Sequence, residues 1–593
     1  MTINALPPAL IMILGGILVP LFKGRARQAW LLILPVLSFV NLLQVPDGSH
    51  WIYPFLSDQI ILGRIDKLSL IFGYIFHLVA FLSALYALHV DDTVQNIAGT
   101  VYAGAAIGAV FAGDMLTLFV FWELLTISAT FLILARRTQK ALGAGFRYFM
   151  VHVAGGLCLL SGFVLQFYQT GSTAFDQVTL GTLGSWLMFI GIGVNCAWPL
   201  LHPWLTDAYP EATITGTVFL SAFTTKTAVY ALARAFPGTE ELIYIGAAMA
   251  AFPIFYAVIE NDLRRVLAYS LINQVGFMVV GIGIGTALSI NGAIAHAFND
   301  ILFKGLLFMS MGAVMYRTGK INATDLGGLY KSMPWTCAFC IVGAASISAF
   351  PLFSGFVSKS MVMEAAAHGN MRWVWFILLF ASAGVFHHAG IKIPFFAFYS
   401  HDSGLRCKEA PAHMLLAMGI SAALCILIGS FPQYLYSLLP YATDYQPYTT
   451  SHILAQTQLL FFSALAFTLL LLSGIYPPEI RSINVDADWI YRRGCRQIYR
   501  FCAWAFDGIN EWANRIFAKE FPKLLTQFFE DPGCNFQKYG YHLWVEISGI
   551  TGREAEIDQI IDRRTRNAAY PVGGGVLLAV LILSLVALFL FYT

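Results

Sequence analysis

The sequence predicts an all-α polytopic membrane protein, and three observations carry that expectation. Of its 593 residues, 58% are hydrophobic and only 11% charged, against about 25% charged in soluble domains. The mean hydropathy is +0.69. Apolar runs long enough to cross a bilayer, roughly 18–25 residues each, recur from the N-terminus to the final FLFYT. Backbone groups in lipid must be satisfied within the segment, so long uniform runs imply helices rather than a barrel. Threading them gives about sixteen transmembrane helices. The plan is two inverted-repeat halves, each containing a broken helix, then a C-terminal amphipathic segment and a final helix.

The first run, NALPPALIMILGGILVPLF, lacks a basic leader and a small-residue cleavage site, so it reads as a retained helix. Orientation follows from basic residues in short loops. KGRAR (23–27), RRTQK (136–140), Arg264–Arg265, Arg317 to Lys331 and RCK (406–408) fall on one side. The opposite loops, 46–63, 169–183, 286–290 and 432–451, are nearly free of them. Both termini are therefore expected on the non-cytoplasmic side of the cell (inner) membrane.

The chain divides into N-terminal helices over 1–95, a first half over 96–260, a second over 261–400 and C-terminal helices over 401–476. Residues 477–570 are charged and rich in Trp and Phe. Ile498, Phe501, Ala505, Ile509, Trp512 and Ile516 make one apolar stripe at helical spacing there, fit for a membrane surface or partner subunits. Pro522 and the DPGCN turn (531–535) argue against one continuous rod through the whole region. A last helix is expected over 571–593.

Four ionisable groups lie deep in otherwise apolar stretches. Glu123 sits in MLTLFVFWELLTISATFLILA, Lys226 in TGTVFLSAFTTKTAVYALA and Lys304 in HAFNDILFKGLLFMSMGAV, and Lys359 follows SAFPLFSGFVSK. A charge at bilayer depth is costly, so such residues usually line ion or proton routes. Moving an opposite charge toward or away from a buried lysine loads or releases its proton. Glu123 modulating Lys226, and Lys304 exchanging with Lys359, would form such a relay. His296, eight residues before Lys304, lies two turns away on the same helix face. His77, His152, His202 and His387–His388 also fall in apolar segments, where a hydrogen-bonded core histidine is the commoner role. Pro199 and Pro203 interrupt one apolar run, and Pro351 and Gly355 another, as at midplane ion sites of transporters.

The nine cysteines are scattered, and Cys337–Cys340 stands without a second pair, so apolar filler is the better reading than a metal or redox site. There is no Walker loop, dinucleotide fingerprint or iron–sulfur cysteine cluster. No cofactor and no metal are expected on this chain, which reads as a transporter subunit rather than an enzyme by itself. The net charge of +2 gives no reason to expect nucleic acid.

At these residues the chain resembles the antiporter-like proton-translocating subunits shared by respiratory complex I, Mrp-type cation/proton antiporters and membrane-bound hydrogenases. The similar stretches, in order, are FVFWELLTISATFLI, PLLHPWLTDAYPEA, ENDLRRVLAYSLINQVGF, HAFNDILFKGLLF and DLGGL…MPWT…FPLFSGFVSK. ENDLRRVLAYSLINQVG and WLTDAYPEA look most like the Mrp D subunit, whereas the late charged segment with one more helix is similar to the largest complex I member. The resemblance implies that Glu123 is the coupling glutamate, Lys226 the bridging lysine, Lys304 the central lysine and Lys359 the terminal one. Asp262 and Arg265 would belong to a signature loop.

Two positions depart from the family pattern. Asn195 stands where a lysine is usual, nine residues before Trp204, and Asp300 where the large complex I member has histidine, four residues before Lys304. An asparagine hydrogen-bonds water but does not hold a proton. Asp300, one turn from Lys304, is expected to neutralise that lysine in part or to help bind a cation. The expected partners are other membrane subunits, protons and Na⁺ or K⁺, within a bilayer. The expected function is proton translocation in an Mrp-type antiporter. The alternatives are a redox-driven pump subunit (quinone reductase or hydrogenase) and a non-conducting scaffold, for which Asn195 is the motive.

Overall fold

A computed structural model describes residues 5–55, 58–476, 479–481, 484–530, 532–548, 552, 554–565, 579–584 and 586. Among them, ten helices are long and apolar enough to cross a membrane, with shorter apolar helices at Pro8–Ile17, Leu183–Asn195 and Pro334–Ile347. The fold divides into two units, meeting in sequence at Asp488–Trp489.

The long helices of the first unit begin where an Asp or Thr precedes an apolar run. Asp66, Asp92, Asp114, Thr138, Asp262, Thr286 and Thr449 each accept a first-turn backbone N–H, which satisfies donors that have no partner inside the helix. Gly171 and Gly319 end two 32-residue helices in the left-handed conformation, where a side chain would be strained. Leu263–Ile284 and Ala287–Thr318 lie at the centre and are almost wholly buried.

Local geometry recurs along the chain. Met115–Leu134 then Gln139–Thr170 is matched by Leu263–Ile284 then Ala287–Thr318. Each pair is closed by a short bridge, Asp114 to Ala174 and Asp262 to Asn322. Each is followed by a broken helix, Leu183–Asn195 with Pro203–Glu211 and Pro334–Ile347 with Ser354–His368. Both breaks carry the tetrapeptide Ala-aromatic-Pro-Leu, with Ala197 and Leu200, and Ala349 and Leu352, at positive φ. The Trp198 and Phe350 N–H groups each bond a carbonyl five residues back, 3.2 and 3.0 Å. Proline removes the donor that would continue the helix, and the αL residues turn the chain.

The stretch expected as a loop over 46–63 folds as an antiparallel hairpin, Gly48–Phe55 with Asp58–Ile65, in which Phe55 pairs with Asp58. Its aromatic and β-branched residues, Trp51, Ile52, Tyr53, Phe55, Ile60, Ile61 and Ile65, favour strand. Asp114 anchors it by accepting from Ile61 N–H at 2.7 Å.

The second unit, by itself, is helical. Backbone helix runs without a gap from Asp488 to Glu530, through a wide π-type stretch at Asn514–Glu520 just before Pro522. The wider turn absorbs the proline that was expected to end the rod. Pro532–Ser548 is helical where a turn was expected, and Glu554–Thr565 follows. Ile498, Phe501, Ile509 and Trp512 are exposed on the unit. The helix expected over 571–593 lies largely outside the described residues.

Candidate functional site

The interior of the first unit holds a line of buried polar groups along its central helices. Lys226 does not sit mid-helix as expected. Its helix breaks at Phe223, between Ile214–Ala222 and Thr224–Ala235. The ammonium donates to Ser221 O at 3.1 Å, a carbonyl near the break. Its Nζ lies 2.5 Å from Asp300 Oδ2, and both side chains have zero exposure. Asp300 is thus a direct counter-ion of Lys226, a partner that sequence spacing did not indicate. Both side chains of the pair are shut off from solvent, so each charge depends on the other.

Lys304, buried on the Ala287–Thr318 helix, donates to Ser270 Oγ at 2.8 Å. His296 shares that helix but is held by Ser358 Oγ at 3.1 Å and Gln274 Oε1 at 3.2 Å. It therefore reaches toward the Lys359 helix rather than back to Lys304. Lys359 donates to Ile347 O at 3.0 Å, a carbonyl released at the second break. It also lies 5.1 Å from the Phe277 ring centroid, a cation–π contact. Lys226 and Lys359 thus both take up backbone carbonyls that broken helices expose.

Two other first-half groups, Glu123 and Asn195, have their own surroundings. Glu123 is half-buried, and its Oε1 has no hydrogen-bond partner among the described residues. It occupies the space that a Cβ on Gly156 would fill. Asn195 is buried, with its Oδ1 2.8 Å from His152 Nδ1. His152 is clasped by the rings of Tyr148 and Trp204, 4.1 and 4.4 Å between centroids. His152 Nε2 and Asn195 Nδ2 are also unpartnered among the described residues. Buried polar atoms of this kind take water as their ordinary partner.

His77 is a satisfied core histidine, bonded to Ser38 and Gly73 O. Asp262 caps its helix through Arg264 and Arg265 N–H. Arg265 lies 3.9 Å from Glu260. Its neighbour Arg264 is the buried arginine, reaching Tyr209 O and Pro210 O at the end of the first broken helix. Cys337 and Cys340 are free thiols.

Three polar positions escaped the sequence reading. Lys392, fully buried, donates to Ala257, Val258 and Glu260 carbonyls at 3.2, 2.7 and 2.7 Å, and pairs with Glu479 at 2.8 Å. A lone lysine in the apolar IKIPFF was the available signal. Glu479 and Asp486 lie in a segment that composition alone had joined to the charged C-terminal region. The described residues of that segment, 479–481 and 484–488, instead form a strap across the first unit. Arg481 pairs with Asp325 at 2.5 Å, Asn484 donates to Glu260 at 3.0 Å, and Asp486 meets His202 at 3.0 Å.

Together these features define a polytopic membrane protein with a charged path built into its helical interior. Residues 112–387 match the family model described as NADH:quinone oxidoreductase/Mrp antiporter, TM, a likeness at the level of the family. Among its relatives is Hydrogenase-4 component B of Escherichia coli, 27% identical over 74% of this chain and 73% of that protein. A Na(+)/H(+) antiporter subunit of Alkalihalophilus pseudofirmus is 28% identical over 71% of this chain but 60% of its own length. In fold, the chain is similar to part of the membrane-bound sulfane sulfur reductase, an archaeal respiratory membrane complex. The TM-score is 0.70 at 22% identity, over 89% of this chain and all of that one.

Proposed function

We propose that this chain is the proton-translocating, antiporter-like subunit of a multi-subunit monovalent cation/proton antiporter of the Mrp type, in the cell inner membrane. The observation that carries this reading is the fully buried Lys226–Asp300 pair. It joins the first-half lysine to the helix bearing Lys304 and His296, so protonation in one half acts on the charge of the other. Protons pass through Lys304, His296 and Lys359, and Glu123 and Lys226 couple that movement to a neighbouring subunit. Val120, Ile127 and Phe131, on the Glu123 face of its helix, are exposed, as a surface covered by another subunit or lipid requires. The recurring helix pairs and matched breaks support two inverted repeats, and the basic residues clustered in alternate loops support both termini on the non-cytoplasmic side.

The wild-type complex in inverted vesicles is expected to give a pH change on addition of Na⁺ or K⁺. No cation-driven change from an intact complex would remove the antiporter reading. The relation to Hydrogenase-4 component B favours a second reading, a pump subunit of a redox complex. Iron–sulfur absorbance in the purified complex distinguishes the two.

Gly156→Ala tests the Glu123 role without touching a charge. The added Cβ collides with the flexible end of the Glu123 side chain, so the carboxylate must turn away. Assembly is expected to be normal and proton transport to fall at least about tenfold. Wild-type transport in this variant would show that the Glu123 position is immaterial.

A further inference from the structure

Asp486 is a carboxylate that no family motif or helix pattern singles out. It sits on the strap 479–488 with its side chain 7% exposed. Oδ1 lies 3.0 Å from His202 Nε2. Oδ2 accepts from Tyr269 O–H at 2.7 Å, and the Ala487 N–H closes on Oδ1 at 2.6 Å. His202 stands at the start of the second piece of the first broken helix, and Tyr269 belongs to the helix that carries Ser270, the partner of Lys304. One carboxylate thus ties the first break to the second half.

The carboxylate is also the kind that stays ionised. Burial pushes Asp486 up, but the His202 and Tyr269 hydrogen bonds outweigh it and hold the group below the ordinary carboxylate range. An ionised carboxylate accepts and never donates. Its contact with Nε2 therefore requires that nitrogen to carry hydrogen. The hydrogen bond made by one ring nitrogen decides the state of the other. In neutral His202 the bare nitrogen is then Nδ1, which is buried and has no protein partner among the described residues. The other charged or titratable groups around the pair are Tyr256 and Glu260 at the end of Glu241–Ile259, Arg265 and Tyr269 on Leu263–Ile284, and Asp207 on Pro203–Glu211.

We propose that Asp486 is a positioning residue that fixes His202 as the Nε2–H tautomer, presenting Nδ1 as an inward-facing proton acceptor at the first broken helix. The strap is what delivers it. Glu479, Arg481 and Asn484 anchor the segment on Lys392, Asp325 and Glu260, so the carboxylate arrives with little freedom left to lose. The proposal deepens the proton-translocation reading and depends on it only for the transport consequence.

The test is nitrogen NMR of the purified complex with ¹⁵N-ring-labelled histidine, His202 being assigned from the H202Q difference. The expected wild-type signature is a protonated Nε2 and a bare Nδ1. In D486A that preference is lost and proton transport falls about tenfold, the usual scale for removing an orienting partner; D486E recovers both. A protonated Nδ1 in the wild type, or an unchanged His202 spectrum in D486A, overturns the proposal. Should D486A fail to assemble, the wild-type spectrum alone decides. A wild-type complex that moves no protons would defeat the antiporter reading and leave the tautomer result standing.

Discussion

Asp300→Asn is expected to destabilise the protein by about 3–5 kcal/mol, the cost of removing one partner from a buried ion pair. The substitution keeps the shape of the side chain but leaves the Lys226 ammonium without a charge to face. Ser221 O is its only other close partner among the described residues, and one neutral carbonyl does not replace a carboxylate at 2.5 Å. Lys226→Met alone is expected to cost a similar amount, because Asp300 is then the uncompensated ion. The double variant Lys226→Met, Asp300→Leu is expected to recover most of the stability and none of the transport. Thermal unfolding of the purified complex, taken as a double-mutant cycle, reads the coupling. Additive costs for the two single changes would mean that the contact carries no special energy.

Lys392→Met is expected to have the second largest effect, again several kcal/mol. The ammonium closes the C-terminal end of Glu241–Ile259 by donating to three carbonyls, and it neutralises the buried Glu479. A cation at a helix C-terminus is favoured by the unpaired carbonyls and by the helix dipole. Without it those carbonyls and a carboxylate lose their partner together. Glu479→Gln removes only the charge and is expected to cost less. Because Glu479 opens the strap, Lys392→Met is also expected to make the chain cleavable between 479 and 488 by limited proteolysis. A variant as resistant as wild type would mean that the other anchors hold the strap unaided.

The all-α membrane class was legible because a bilayer imposes long apolar runs on the helices that cross it, and proline interrupts two of those runs at matched places, Pro199 and Pro351. The four buried charges were legible for the same reason, each standing out against an apolar stretch. Their partners were not. Asp300 lies one turn from Lys304 in sequence, yet its carboxylate meets Lys226, since helix packing and not helix spacing decides which charges touch. His296 likewise faces Ser358 and Gln274 across helices. Lys226 is central to one long apolar run in sequence, but the break at Phe223 places it beside a freed carbonyl. The hairpin of Gly48–Phe55 with Asp58–Ile65 was hidden because its strands are short and show no clear two-residue alternation. Asp486 and Glu479 carried no sequence signal, because a charged residue after the last apolar run reads as solvated.

The central claim is that protons cross the membrane on the buried line through Lys304, His296 and Lys359. Lys304→Ala in inverted vesicles tests it most directly, with the amount of assembled complex measured alongside. The account predicts a cation-driven pH change at or below about a tenth of wild type at normal assembly. An unchanged pH response from a normally assembled Lys304→Ala complex would contradict it.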